Sequence, residues 1–122
     1  MTTILIADDE PSLRLLVSAT IASDDFDVIE AMDGDEAWSL IRQHRPSVVL
    51  LDVQMPGQTG LDLTRSIRHD PELAHTCVIL LTSKAQQTDI QAGLEAGADR
   101  YLTKPFSPLE LLRVVEQAVA SP

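Results

Sequence analysis

The sequence predicts an α/β fold in which helices cover both faces of a doubly wound, five-stranded parallel sheet. Short apolar runs alternate five times with stretches of helical periodicity along the 122 residues, a pattern typical of parallel strands joined by right-handed crossovers. Several of these runs are unbroken, as expected for strands buried on both faces. We expect one domain over residues 1–122, with the strands in the order 2-1-3-4-5.

The first strand is predicted over residues 3–7, where an apolar run ends on Asp8 and Asp9. Pro11 suits the first turn of a helix, and apolar residues then recur at helical spacing to about residue 22. The second strand, over 27–31, alternates more than the first and is therefore expected nearer a sheet edge. Asp33 is positioned to cap the next helix, and Glu36 to complete a capping box.

The third strand, over residues 47–51, is an unbroken apolar run after Ser47 and ends abruptly on Asp52. The strand cannot continue through the following Met-Pro-Gly sequence, because proline lacks the N–H group that a central strand needs. The next helix begins at about residue 59 and ends near residue 70, with three apolar side chains predicted to face the core: Leu61, Leu63 and Ile67.

The fourth strand, over residues 76–82, ends on the hydroxyl side chains of Thr82 and Ser83. Gln86 stands three residues after Ser83, which permits another capping box and a helix to about residue 96. Gly97 is predicted to stop that helix.

The fifth strand is predicted over residues 99–103 and is followed by Lys104. Ser107, Pro108 and Glu110 form the strongest helix start in the chain, and that helix is expected to reach about residue 120. Its apolar residues cover more than one narrow stripe, which leaves room for a partner on its outer side. They are Leu109, Leu111, Leu112, Val114, Val115, Ala118 and Val119.

Composition restricts the function classes. With 9 basic and 19 acidic residues the net charge is −10, which disfavours direct binding to nucleic acid or to an anionic membrane. The single cysteine, Cys77, excludes an internal disulfide and fits a reducing compartment, and no run approaches membrane-spanning length. We therefore expect a soluble cytoplasmic protein that attracts small cations.

The polar residues that follow the strands are expected to meet, because the carboxyl ends of parallel strands lie at one edge of the sheet. They are Asp8, Asp9, Asp52, Thr82, Ser83 and Lys104. Three neighbouring carboxylates need a cation or a raised pKa, and Mg²⁺ accepts such oxygen ligands. Lys104 and Thr82 suit a phosphoryl group, and Asp52 is the predicted nucleophile for an aspartyl phosphate.

In this arrangement the chain resembles a receiver domain of the two-component response regulators, which have a flavodoxin-like, CheY-like fold. The matching residues are Asp8 and Asp9, Asp52 with Met55, Pro56 and Gly60, Thr82 with Ser83, Tyr101, and Lys104 with Pro105 and Phe106. They match in order and at the expected strand ends, which makes the combination specific although each motif alone is weak.

The resemblance implies a role for each matching residue. Asp52 would accept a phosphoryl group from a phosphohistidine of a sensor histidine kinase or phosphotransfer protein. Mg²⁺ would be held by Asp9, Asp52 and the backbone carbonyl of Gln54, with Asp8 acting through water. Lys104, Thr82 and Ser83 would contact the phosphoryl group.

Thr82 and Tyr101 would act as the switch that reshapes the surface of the fourth helix, fifth strand and fifth helix. That surface could form a homodimer, and an output domain could follow in a longer chain. Gln54 and Lys84 occupy positions that tune phosphoryl lifetime. Such a domain is a signalling switch rather than a conventional enzyme.

Other interpretations of the same residues stay open. A metal-dependent phosphohydrolase could use Asp52 covalently, but such an enzyme would be expected to carry an acid where this chain has Gln54. A receiver-like scaffold that is never phosphorylated is a third hypothesis. Tyr101 is equally well explained as an ordinary aromatic residue of a strand.

Overall fold

The structure, a computed structural model, describes residues 2–83 and 87–120, with the backbone alone over 87–89. Five strands alternate with five helices, and a short 3₁₀ turn at Pro71–Leu73 follows the third helix. The strands are β1 (Thr2–Ala7), β2 (Phe26–Ala31), β3 (Val48–Asp52), β4 (Cys77–Ser83) and β5 (Arg100–Lys104). The helices are α1 (Pro11–Ile21), α2 (Gly34–His44), α3 (Gly60–His69), α4 (Gln87–Ala96) and α5 (Pro108–Ala120).

The strands form one parallel sheet in the order β2-β1-β3-β4-β5, which confirms the predicted doubly wound fold. The order in which successive strands are added to the sheet reverses between β1 and β3. Strand β2 lies at a sheet edge, as predicted. Ala7 pairs with Leu51, and Leu51 pairs with Leu80. Because these registers align the strand ends, the residues that follow β1 and β3 lie at one edge of the sheet.

The core consists of two apolar layers, one on each face of the sheet. Alternate side chains of one strand enter opposite layers, as Leu50 and Leu51 do in β3. Leu63 and Ile67 of α3 are fully buried in the layer that also contains α2. The predicted core positions of α3 are therefore confirmed, with Leu61 only partly buried against the same layer.

The helix starts agree with the sequence predictions in part. Ser107 and Glu110 form the full capping box at α5, with Glu110 N donating to Ser107 Oγ at 3.1 Å and Ser107 N donating to Glu110 Oε1 at 3.2 Å. Asp33 caps α2 by accepting from Glu36 N. The predicted box at α2 is wrong, however, because the Glu36 carboxylate accepts from Met32 N instead of from the cap residue.

Two further helix ends bear on the predictions. A capping box that the sequence reasoning did not identify begins α3, where Thr59 and Asp62 exchange hydrogen bonds. Gly97 ends α4 with a φ of +112°, as predicted for a helix stop. Gln86, the predicted partner of Ser83 in a capping box, lies outside the described residues.

Helix α5 carries apolar side chains on two sides, as its sequence indicated. Leu111, Val115 and Ala118 are buried against the sheet, whereas Leu109 is 64% exposed and Val119 is 36% exposed. Within residues 2–83 and 87–120, no helix is both long and apolar enough to cross a membrane.

Candidate phosphoryl and metal site

Three carboxylates meet at the carboxyl edge of the sheet. Asp8 follows β1, Asp9 begins the turn toward α1, and Asp52 is the last residue of β3. Each contributes one oxygen to a group whose members all lie within 4.8 Å of one another. Asp8 and Asp52 are buried, while Asp9 is exposed, so the cluster opens to solvent on the side of Asp9.

Lys104 joins two of these acids from the end of β5. Its Nζ donates to Asp8 Oδ2 at 2.9 Å and to Asp52 Oδ2 at 3.3 Å. The other oxygens of the two carboxylates accept from main-chain N–H groups, Asp8 Oδ1 from Glu10 at 2.9 Å and Asp52 Oδ1 from Gln54 at 3.2 Å. One lysine therefore balances part of the charge of three acids.

The electrostatics of the site follow from this crowding. Burial, followed by the charge of Asp8, raises the pKa of Asp52 from 3.8 to about 6, against the opposing effect of Lys104. Burial alone would lower the pKa of Lys104, but its hydrogen bond to Asp8 and the charge of Asp52 outweigh burial and raise it. Lys104 therefore stays positively charged at neutral pH, while Asp52 is sensitive to any added cation.

Thr82 lies on β4 beside this cluster and is fully buried. Its hydroxyl has no hydrogen-bond partner among the residues that the structure describes. A buried polar group without a partner costs about 1–3 kcal/mol, so an oxygen atom arriving at the site would relieve that cost. Ser83, the last residue of β4, pairs in register with Lys104.

The three remaining predicted residues, Tyr101, Gln54 and Lys84, differ in their relation to this cluster. Tyr101 lies on the edge strand β5, three residues before Lys104, and is 46% exposed. The side chain of Gln54 is exposed, and its main-chain N–H group faces Asp52. Lys84, which was expected to tune phosphoryl lifetime, lies outside the described residues.

The chain around Asp52 is held by close backbone approaches. A Cβ atom at Gly60 would lie 2.4 Å from the carbonyl oxygen of Asp52, so only glycine lets α3 start so close to β3. Gly34 N donates to Pro56 O at 2.9 Å, which ties the loop after Asp52 to the start of α2. Gly57 adopts a φ of +77° within that loop.

Sequence reasoning missed Arg14. Its Nη1 donates to the main-chain carbonyl of Asp8 at 2.7 Å, and its Nε lies 3.4 Å from Glu30 Oε1. A contact between a helix side chain and a main-chain carbonyl leaves no motif in the sequence, so nothing in the spacing of polar residues could have indicated it.

The donor set suits a hard divalent cation. The three carboxylates supply oxygen ligands only, and the exposure of Asp9 leaves space for the waters that Mg²⁺ retains. The raised pKa of Asp52 reflects burial and repulsion by Asp8, and a divalent cation would relieve that repulsion.

The fold and the site define an α/β domain of the flavodoxin-like, CheY-like class. The chain belongs to the response regulator receiver domain family of two-component systems, whose family pattern matches residues 4–116. Receiver domains are signalling domains rather than conventional enzymes. This match confirms the prediction, made from the sequence motifs, that the chain is a receiver domain.

Individual relatives support this assignment. The DNA-binding response regulator MtrA of Mycolicibacterium smegmatis is 39% identical over 109 residues, which are 89% of this chain and 46% of that protein. The chain thus spans about half the length of such curated relatives.

Solved structures of related proteins share this fold over nearly the whole chain. The chemotaxis response regulator CheY4 of Vibrio cholerae has a TM-score of 0.89 at 32% identity, covering 97% of this chain and 98% of that one. The receiver domain of the sensor histidine kinase PA1611 of Pseudomonas aeruginosa has a TM-score of 0.88 at 31% identity, with 98% of each chain covered. In that structure a magnesium ion is coordinated in the active site cleft.

Proposed function

We propose that residues 1–122 act as one phosphorylation-activated signalling switch in which Asp52 accepts a phosphoryl group. The donor is a phosphohistidine of a histidine kinase or phosphotransfer protein. The observation that carries this proposal is the convergence of Asp8, Asp9 and Asp52 within 4.8 Å, two of which, Asp8 and Asp52, are bridged by Lys104. A surface dedicated only to protein binding has no need of two buried acids around one lysine, since burying charge is costly.

Asp9, Asp52 and the backbone carbonyl of Gln54 would hold Mg²⁺, with Asp8 acting through water. The magnesium-bound receiver domain of PA1611 supports this assignment, as does the acid cluster of this chain. When bound, the ion neutralises charge that develops on the phosphoryl oxygens.

The transfer itself requires positioning more than covalent assistance. An Asp52 carboxylate oxygen forms the new bond to phosphorus while the phosphorus–nitrogen bond of the donor breaks, and the imidazole leaves with that electron pair. With a pKa of about 6, Asp52 is mostly ionised at neutral pH and therefore available to attack. Lys104 pairs with the phosphoryl oxygens, and Thr82 and Ser83 donate hydroxyl hydrogen bonds to them.

The response is proposed to leave the site through Thr82 and Tyr101. Movement of the Thr82 hydroxyl toward the phosphoryl group vacates space beside β5, and Tyr101, now 46% exposed, turns inward. The α4-β5-α5 surface then changes and is read by a second copy of the chain or by an output module. The similarity to DNA-binding regulators such as MtrA favours control of transcription.

This domain would not contact DNA itself, because its net charge is −10 and DNA is also negatively charged. It would act in the cytoplasm.

The test is phosphorylation by a small donor such as acetyl phosphate, followed by intact mass spectrometry. We expect the wild-type chain to gain one phosphoryl group in the presence of Mg²⁺ and to gain none when Mg²⁺ is removed by a chelator. Asp52→Asn should gain none under either condition, because an amide is not a nucleophile for this reaction.

Asp70→Asn is a suitable control, since Asp70 lies at the end of α3 rather than at the site and should not alter the reaction. Equal phosphorylation of Asp52→Asn would overturn the assignment of the acceptor. Repeated turnover of a phosphate monoester would instead identify a phosphohydrolase.

A further inference from the structure

Asp8 is the most constrained member of the acid cluster. It is fully buried, its N–H donates to Ala31 O at 3.2 Å, and its carboxylate oxygens accept from Glu10 and Lys104. Its main-chain carbonyl accepts from Arg14 Nη1 at 2.7 Å. Because β1 ends at Ala7, this side chain anchors the backbone where the chain leaves the sheet.

Arg14 has a second anchor that fixes its guanidinium group. Its Nε lies 3.4 Å from Glu30 Oε1 on β2, and the arginine side chain is only 15% exposed. Two contacts from different nitrogens of one planar group define its orientation better than a single contact would. The guanidinium group thus links the edge strand, α1 and the end of β1.

The Asp8 carbonyl belongs to the same planar peptide unit as the N–H group of Asp9. The hydrogen bond from Arg14 to that carbonyl therefore fixes the peptide plane between Asp8 and Asp9, and with it the direction from which the Asp9 side chain extends. Asp9 is the exposed acid of the cluster, so its carboxylate has fewer packing contacts to hold it than the buried Asp8 has.

We propose that Arg14 is a positioning residue for the cation site, which acts by fixing the Asp8–Asp9 peptide plane rather than by touching the ion or the phosphoryl group. This role rests on the proposed function, because it presupposes that the cluster binds Mg²⁺. Residues that orient metal ligands from outside typically change metal affinity by about 10–100-fold when they are removed.

The sign of the change separates positioning from charge. Removal of a positive charge near three carboxylates would by itself strengthen cation binding, because the site becomes more negative. Loss of the fixed Asp8–Asp9 peptide plane would instead weaken cation binding. We therefore expect Arg14→Met, which removes the charge and the donors but keeps a long side chain, to bind Mg²⁺ about tenfold more weakly.

The experiment is a calorimetric titration of Mg²⁺ into the full chain, with folding checked by circular dichroism. Arg14→Lys keeps the positive charge and a single donor nitrogen, and it should recover part of the Mg²⁺ affinity that Arg14→Met loses. Glu30→Gln removes the charge of one of the two contacts that orient Arg14 but leaves the bond from Arg14 to Asp8, so it should weaken Mg²⁺ binding less than Arg14→Met does. Arg42→Met is the matched control, because it removes an exposed arginine near the end of α2, and its affinity should stay within about twofold of wild type. If Arg14→Met does not fold, Arg14→Gln takes its place with the same expected weakening.

The phosphorylation rate provides an independent readout. The rate of Arg14→Met should fall at limiting Mg²⁺ and recover at saturating Mg²⁺, as expected for a loss of cation affinity. Unchanged or tighter Mg²⁺ binding in folded Arg14→Met, with wild type binding normally, would overturn the role of Arg14 alone. Absence of Mg²⁺ binding by wild type would overturn the proposed function and this role together.

Discussion

The burial of Asp52 places an ionisable group where its charged form is disfavoured. Burial and the charge of Asp8 raise its pKa from 3.8 to about 6. Between these two values the folded chain binds more protons than the unfolded chain, so stability falls as the pH rises through this range. Asp52 therefore destabilises the metal-free fold at neutral pH, as expected of a residue retained for chemistry.

Replacement of Asp52 by Asn should accordingly stabilise the metal-free protein at pH 7. A shift from 3.8 to about 6 corresponds to at most about 3 kcal/mol in the free energy of unfolding. The gain should shrink as the pH falls from 6 to 4, because the wild-type carboxyl becomes protonated in the folded chain. Urea denaturation at several pH values measures this difference.

Asp24→Asn is the control for that series, because Asp24 is exposed outside the site and should change stability little at any pH. A loss of stability in Asp52→Asn at pH 7, or a gain that does not depend on pH, would contradict the electrostatic account of the site.

At the scale of single elements, capped helix starts follow the strand ends that carry the site residues. The capping box of Ser107 and Glu110 begins α5, three residues after Lys104. The sequence predicted this start because serine, proline and glutamate occupy favourable positions together. At α2 the same reasoning predicted the cap but not the partner of Glu36, since a long flexible carboxylate can reach either of two adjacent N–H groups.

Removal of the α5 cap tests how much a capped helix start contributes to stability. Ser107→Ala should lower the free energy of unfolding by about 1 kcal/mol, the usual cost of losing an N-cap side chain. Ser39→Ala, at an exposed position within α2, should cost much less. Thermal or urea unfolding of the two variants provides the comparison, and equal losses would show that the Ser107 hydroxyl does not stabilise the helix.

At the scale of the whole molecule, strand order turns residues that are distant in sequence into neighbours. Asp8, Asp52 and Lys104 meet because parallel strands end at one edge of the sheet. The apolar runs and the acids that follow them were sufficient to predict both the fold and this convergence. The lack of a hydrogen-bond partner for the Thr82 hydroxyl among residues 2–83 and 87–120 was not predictable, because it depends on side-chain packing. The contact between Arg14 and Asp8 was not predictable either, because it depends on main-chain geometry.

The central claim is that Asp52 receives a phosphoryl group within this cluster. The most direct measurement is a crystal structure grown with Mg²⁺ and beryllofluoride, a mimic of the aspartyl phosphate. The account predicts the mimic on an Asp52 carboxylate oxygen, with Lys104 Nζ and Thr82 Oγ1 donating hydrogen bonds to its fluorines and with Mg²⁺ bound by Asp9 and Asp52. A mimic bound at another carboxylate, or Asp52 unmodified with Lys104 still bridging it to Asp8, would contradict the account.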